Sequence, residues 1–253
     1  MNGPIAGAGQ HLVVAVAHPD DETFGCGSLI AHAAASGARV TVVCATRGEA
    51  GERTPDDATD HLPLGEVRAQ ELRDAAAVLG VHEIELLSYA DSGWDGPLPE
   101  GALCGVTVDV LAEDLGARLL QLAPDVVLVL DGGDGHRDHL HILQAVEVAL
   151  ARHPTPVRLV RACLSNGLMR RWVEEMRASQ SETVYLDLDV DSLGTPDSQL
   201  TAIDVGQFLA VRERAIACHR SQNSPYDGLS AELRRAFLST DFIQDSMRRK
   251  PGS

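Results

Sequence analysis

Leu12-Val13-Val14-Ala15-Val16-Ala17 carries no charge and runs directly into His18-Pro19-Asp20-Asp21-Glu22. Six consecutive apolar residues read as a strand covered on both faces, as in a parallel sheet. Phe24 to Ala35, apolar and rich in small residues, predicts a helix packed on that sheet. A histidine and three acids therefore stand at the C-terminal mouth of a core strand, where open α/β sheets place their ligands. Like charges crowded there repel one another, and a bound cation relieves them. His18 and Asp21 can reach one ion, Pro19 restrains the bend between them, and Asp20 then aims its carboxylate elsewhere. Helix capping is the competing reading, with Asp20 or Asp21 as the cap and Glu22 complementing the dipole. Capping accounts for the acids and leaves the histidine unexplained.

Working outward, Arg39 to Ala45 predicts a second buried strand, and Thr46 to Pro63 is a polar loop long enough to reach the site mouth. A helix is expected over Leu64–Leu79, stopped by Gly80. Glu83–Leu87 reads as a third, more exposed strand, Asp91–Pro97 as a loop, Val106–Leu122 as a helix and Asp125–Leu130 as a fourth strand. Asp138 is a candidate N-cap for a helix through Leu150. Strands follow at Leu159–Cys163 and Thr183–Leu188, with a short helical piece near Arg171 between them. Asp204 reads as the cap of a helix to about His219, and a short helix and Phe237–Ile243 close the chain. Strand and helix alternate over the first 150 residues or so, which implies right-handed βαβ units. The expectation is an α/β, Rossmann-like three-layer fold with a mostly parallel sheet, one domain spanning residues 1–253.

A chain of 253 residues buries enough surface to fold without disulfides or structural metals. The formal net charge of −16 argues against nucleic acid or an anionic membrane as partner and favours a neutral small molecule. Five cysteines without a C-x-x-C pair fit a reduced, cytoplasmic setting. The first residues show no signal peptide, and no apolar run is long enough to span a bilayer. A homo-oligomer is left open.

The fourth strand leads into Asp131-Gly132-Gly133-Asp134-Gly135-His136-Arg137-Asp138-His139. His18, Asp21 and one of His136, His139 or His141 would form a two-histidine, one-carboxylate set, which suits a catalytic zinc and equally iron(II). Alone, this second stretch reads as a Gly-rich turn with exposed histidines. Two polar clusters at two apolar strand mouths favour a metal. His11 and His141 are read as structural or exposed. Trp94 would either stack on a sugar face or anchor its loop.

The pair Ala17-His18-Pro19-Asp20-Asp21-Glu22 and His136-Arg137-Asp138-His139 resembles the LmbE-like, or PIG-L, deacetylases, zinc enzymes that act on N-acetylglucosaminyl compounds. The resemblance extends to Thr46-Arg47-Gly48-Glu49, to Arg68 with Glu71, to Asp91-Ser92-Gly93, and to His219 with Ser221-Gln222. It implies His18, Asp21 and His139 as metal ligands and Asp20 as general base. It also implies His136 as the charged partner of the oxyanion or leaving amine, and Arg68, Glu49 and Asp91 as substrate contacts. Asp138 would orient a ligand histidine from behind. Zinc would lower the pKa of its water and Asp20 would take the proton. Zn2+ is the implied cofactor, with Fe2+ or another divalent metal as alternatives, and an amino-sugar the implied substrate. Arg137 stands where the family pattern has Pro, and Asp134 where some sugar deacetylases have Tyr. The family also includes amidases of thiol conjugates and glycopeptides, and a silent sugar-binding member is a further alternative. A dinucleotide-binding dehydrogenase is disfavoured, because Gly25-Cys26-Gly27 lies past the strand turn and Ile30 replaces the third glycine.

Overall fold

The computed structural model describes residues 5–54, 59–179, 186 and 189–246. Five parallel strands form its centre: β1 (His11–Val16), β2 (Arg39–Cys44), β3 (Glu83–Leu86), β4 (Val126–Leu130) and β5 (Arg158–Cys163). Two more, β6 (Thr201–Asp204) and β7 (Thr240–Ser246), extend the sheet antiparallel, giving the order β3-β2-β1-β4-β5-β7-β6. The chain begins at β1, winds outward to β3, then returns to pair β4 with the other edge of β1. Strand order thus reverses between β1 and β4, and a crevice opens at their C-terminal ends.

Alternation along the buried strands divides the core. Leu12, Val14 and Val16 face a cluster with α2 (Gly27–Ala35), α3 (Leu64–Leu79) and α7 (Leu209–Ile216). Val13 and Ala15 face α4 (Val108–Leu122) and α5 (Arg137–Arg152) on the other side. These are the three layers expected from strands apolar on both faces. A third cluster joins α6 (Asn166–Ala178) to α8 (Ala231–Ser239) through Trp172, Leu233 and Leu238.

Several expected boundaries move. The first helix splits into α1 (Asp21–Phe24) and α2 at Gly25 and Cys26, where poor helix formers let the chain turn. The piece near Arg171 is a full helix, α6, capped by the Ser165 side chain. Asp204 caps no long helix: it ends β6, and its Oδ1 accepts the Gly206 amide at 3.1 Å to start a tight turn before α7. Neither strand of the antiparallel pair β6–β7 is expected from the sequence, because four- and seven-residue strands with mixed polarity carry no clear period. The strand expected over Thr183–Leu188 lies, Leu186 apart, outside the described residues. Arg212 of α7, 2 % exposed, ties the C-terminal segment to the first motif: it donates to Asp241 Oδ1 at 2.7 Å, to Tyr226 OH, and to the Phe24 carbonyl. No helix among the described residues is long and apolar enough to cross a membrane.

Candidate metal centre

β1 delivers His18, Asp20 and Asp21 to the crevice, and β4 delivers Asp134, His136, Asp138 and His139. His18 Nδ1 lies 3.3 Å from His139 Nε2, His139 Nε2 3.1 Å from Asp21 Oδ1, and His18 Nδ1 3.6 Å from Asp21 Oδ2. Nitrogen and oxygen donors about 2.0–2.1 Å from a tetrahedral ion stand roughly 3.3 Å apart. The separations here approach that spacing, with His18 and His139 meeting different oxygens of the Asp21 carboxylate.

Each imidazole is held from behind by a carboxylate. His18 Nε2 faces Asp138 Oδ2 at 3.2 Å and Asp91 Oδ1 at 3.4 Å, and His139 Nδ1 faces Asp134 Oδ2 at 2.7 Å. Such partners fix which ring nitrogen keeps its proton and free the other for a metal. Among the described residues, the sets whose donor atoms all lie within 4.8 Å of one another are His18 with His136 and His139, and His18 with Asp91 and Asp138. The second uses His18 Nε2 and the carboxylates that orient it, so it competes with the orienting role. The first leaves out Asp21, whose carboxylate stands 3.1 Å from His139 Nε2 and 3.6 Å from His18 Nδ1. A His18–Asp21–His139 set would leave Asp91, Asp134 and Asp138 free to orient the rings.

Electrostatics agree. Burial opposes charge on His139, but Asp134 and then Asp21 hold its pKa up at about 10. Burial likewise opposes charge on His18, and Asp138, Asp21 and Asp91 raise it well above the usual value. Against burial, His139 and then His18 hold Asp21 well below the carboxylate range. The carboxylates thus draw positive charge to the point where the three donors meet.

Asp20 points away. Its carboxylate pairs with Arg68 at 3.0 Å, and burial, against that pairing, pushes its pKa up to about 6. Arg68, expected as a substrate contact, is instead 4 % exposed, and donates to the Pro19 and Gly48 carbonyls at 2.6 Å each. Its guanidinium lies against the loop at Gly48, where a β-carbon would fall 2.3 Å from Nη1. Asp91 is likewise no open substrate contact: 4 % exposed, it accepts the Gly93 amide and faces His18. Glu49 is exposed, and its carboxylate accepts the Asp91 amide at 3.2 Å. His136 packs 4.7 Å from the His18 ring and 4.9 Å from that of His139. Its surroundings disfavour the expected imidazolium. Burial, then His18 and His139, lower its pKa to about 4, and its Nδ1 accepts the Asp138 amide. A neutral ring remains, with Nε2 as donor. Asp138 is not the helix cap; α5 starts one residue earlier, and the buried carboxylate accepts from Ser92 N and Cys104 Sγ besides facing His18. His11 bonds Leu122 and Thr41 on the sheet's far side, and His141 stays outside the cluster.

Sequence reasoning missed Asp134 as the partner of His139, and it missed what Glu22 does. Glu22 is fully buried; its Oε2 accepts the Asp20 amide at 2.9 Å and its Oε1 lies 2.9 Å from His219 Nε2. The third acid of the motif and the distant His219 were both visible, but nothing in the sequence paired them.

The family described as GlcNAc-PI de-N-acetylase, PIG-L, matches residues 13–150. The 1D-myo-inositol 2-acetamido-2-deoxy-alpha-D-glucopyranoside deacetylase 1 of Saccharopolyspora erythraea is 33 % identical over 237 residues, covering 85 % of this chain and 78 % of its own. Among solved structures, the zinc-inhibited form of teicoplanin deacetylase Orf2 superposes with a TM-score of 0.63 at 17 % identity, covering 95 % of this chain and all of that one. The 4-carboxy-2-hydroxymuconate hydratase of Pseudomonas putida shares the fold at a TM-score of 0.59 and 16 % identity, covering 96 % of this chain and 99 % of its own. One fold thus carries a deacetylase and a hydratase, and the reaction has to be argued from the site. Sequence identity, matched motifs and topology agree that the chain belongs to the PIG-L, or LmbE-like, family.

Proposed function

We propose that this protein is a metal-dependent N-deacetylase that hydrolyses the amide of an N-acetylglucosaminyl compound to acetate and a free amine. The observation that carries the reading is the convergence of His18 Nδ1, His139 Nε2 and Asp21 within 3.1–3.6 Å, each imidazole backed by a carboxylate. The relatives named as deacetylases of a 2-acetamido sugar supply the substrate class. His18, Asp21 and His139 are assigned as ligands of one Zn2+, with iron(II) compatible with the same donors. Bound there, the cation would lower the pKa of a water to about 7 and polarise the amide carbonyl.

The chain's own groups do the rest. Asp20, with a pKa near 6, is matched to accept a proton from the attacking water at neutral pH. Arg68 holds that carboxylate in place. As the water oxygen bonds to the carbonyl carbon, negative charge collects on the carbonyl oxygen, and the neutral His136 donates its Nε2–H there. Collapse breaks the C–N bond, and the proton on Asp20 passes to the leaving amine. The −16 charge suits a neutral sugar better than a polyanion. The protein is assigned as a single domain, and five unpaired cysteines support a cytoplasmic setting. The test is a panel of N-acyl amino-sugars given to zinc-loaded protein, with primary amine and acetate both measured. Release of neither from any member refutes the deacetylase reading.

A further inference from the structure

Arg137, at the start of α5 between His136 and Asp138, turns its guanidinium to a neighbouring loop. Nε donates to the Gly93 carbonyl at 2.7 Å, Nη1 to Gly96 at 3.0 Å, and Nη2 to Asp95 at 2.9 Å and also to Ser92. Four carbonyl oxygens of one loop converge on one cation. Those dipoles would repel one another without a positive charge between them. The convergence needs left-handed backbone at Gly93 and Gly96, with φ of 69° and 76°. A planar fork with five N–H groups can serve four acceptors spread in this way; an ammonium with three protons cannot, and proline offers none.

What the loop carries is Trp94. Its ring stands 5.3 Å from that of His136, edge to face at 75°, and His136 in turn packs against the His18 and His139 rings. The loop also starts at Asp91, whose carboxylate receives the Gly93 amide at 2.8 Å and faces His18. Four of the five guanidinium N–H groups are taken by the loop, so the contacts of Arg137 are with the loop. We propose that Arg137 is a positioning residue that clamps the Ser92–Gly96 loop so that Trp94 stands as a preformed aromatic wall for the sugar face beside the proposed metal centre. This rests on the deacetylase reading above for the identity of the ligand as an amino-sugar. A wall held in place before binding contributes affinity that a loose loop would lose to ordering.

The test is a double-mutant cycle on zinc-loaded protein. Arg137→Ala raises KM for N-acetylglucosamine about tenfold and changes kcat less than about threefold, the signature of lost binding common to ground and transition states. Trp94→Ala raises KM similarly, and the double variant is no worse than Trp94→Ala alone, because one residue acts through the other. Arg137→Lys falls between wild type and Arg137→Ala. Additive KM effects, or an Arg137→Ala variant with wild-type KM, overturn the proposal. A second readout needs no turnover. The chain has two tryptophans, so 5-fluorotryptophan labelling gives two ¹⁹F resonances, and Trp94→Phe identifies one. In wild type that resonance shifts on titration with N-acetylglucosamine; in Arg137→Ala it broadens and responds only at higher sugar. An unresponsive Trp94 resonance in wild type overturns the proposal even if deacetylation is observed. A responsive one supports it even if no amide is cleaved, so the two readings fail separately.

Discussion

Replacing Asp134 by asparagine should weaken zinc binding by about 10–100-fold, the range typical of lost carboxylate partners behind ligand histidines. Asp134 Oδ2 sits 2.7 Å from His139 Nδ1, while Oδ1 accepts the His136 amide at 3.1 Å. If Nε2 of His139 is to face a metal, Nδ1 must carry the ring proton and needs an acceptor. Asparagine has one acceptor for two donors. Aimed at the His136 amide, it turns its NH2 towards the Nδ1–H; aimed at the ring, it leaves the amide facing a donor. Either choice loses a charge-assisted bond and sets two donors together. That 10–100-fold corresponds to about 1.4–2.7 kcal/mol of binding free energy. Competition against a chromophoric chelator at fixed pH measures it. Asp138→Asn is the parallel change behind His18, whose Nε2 lies 3.2 Å from that carboxylate. Zinc affinity within twofold of wild type in Asp134→Asn, with an unchanged melting temperature, would refute the assignment of His139 as a ligand oriented from Nδ1.

Asp20→Asn should retain its metal and lose about 10²–10⁴ in kcat; metal lost in parallel with activity, by elemental analysis, would instead make Asp20 a ligand. His136→Ala should keep metal and lose about 10²–10³ in kcat. Because its pKa is depressed to about 4, His136 is neutral throughout the working range above that value, so the variant should keep whatever alkaline limb the wild-type pH–rate profile has. Disappearance of that limb would restore the charged role. Arg212→Met strands the buried Asp241 carboxylate and should cost about 3–5 kcal/mol in urea denaturation, most of it recovered when Asp241→Leu is added; equal stability of the single and double variants would show that the pair carries no such coupling.

The parallel half of the fold was legible because β1, β2 and β4 are apolar on both faces, a signal that needs no partner to be read. β6 and β7 were not, since their pairing depends on contacts between residues about 40 apart and each strand alone looks like loop or helix. At the site, ligand types at strand mouths could be seen in the sequence, and His18, Asp21 and His139 are neighbours in the structure. The duties of the surrounding polar groups could not. The family resemblance implies Arg68 and Asp91 as substrate contacts, yet both are buried and turned towards the protein's own backbone and rings. Burial of a charge is a property of the fold around it.

Asp20 shows how neighbouring acids of one motif come to face different ways. Its φ is 119°, a conformation that costs a non-glycine residue about 1–3 kcal/mol and persists only where the surroundings enforce it. Three segments do so. Glu22 receives the Asp20 amide and is itself held by His219 and Thr23. Arg68 binds the Pro19 carbonyl and the Asp20 carboxylate together. One turn further along α3, Glu71 accepts the amide and hydroxyl of Ser221, fixing the segment that carries His219. The reversal of the backbone at Asp20 sends its side chain to Arg68, while Asp21, the next residue, faces His18 and His139. Without that reversal, two adjacent carboxylates would compete for one cation. The buried acid at position 22 and a histidine nearly 200 residues away thus stabilise the strained turn that separates the proposed ligand Asp21 from the proposed base Asp20.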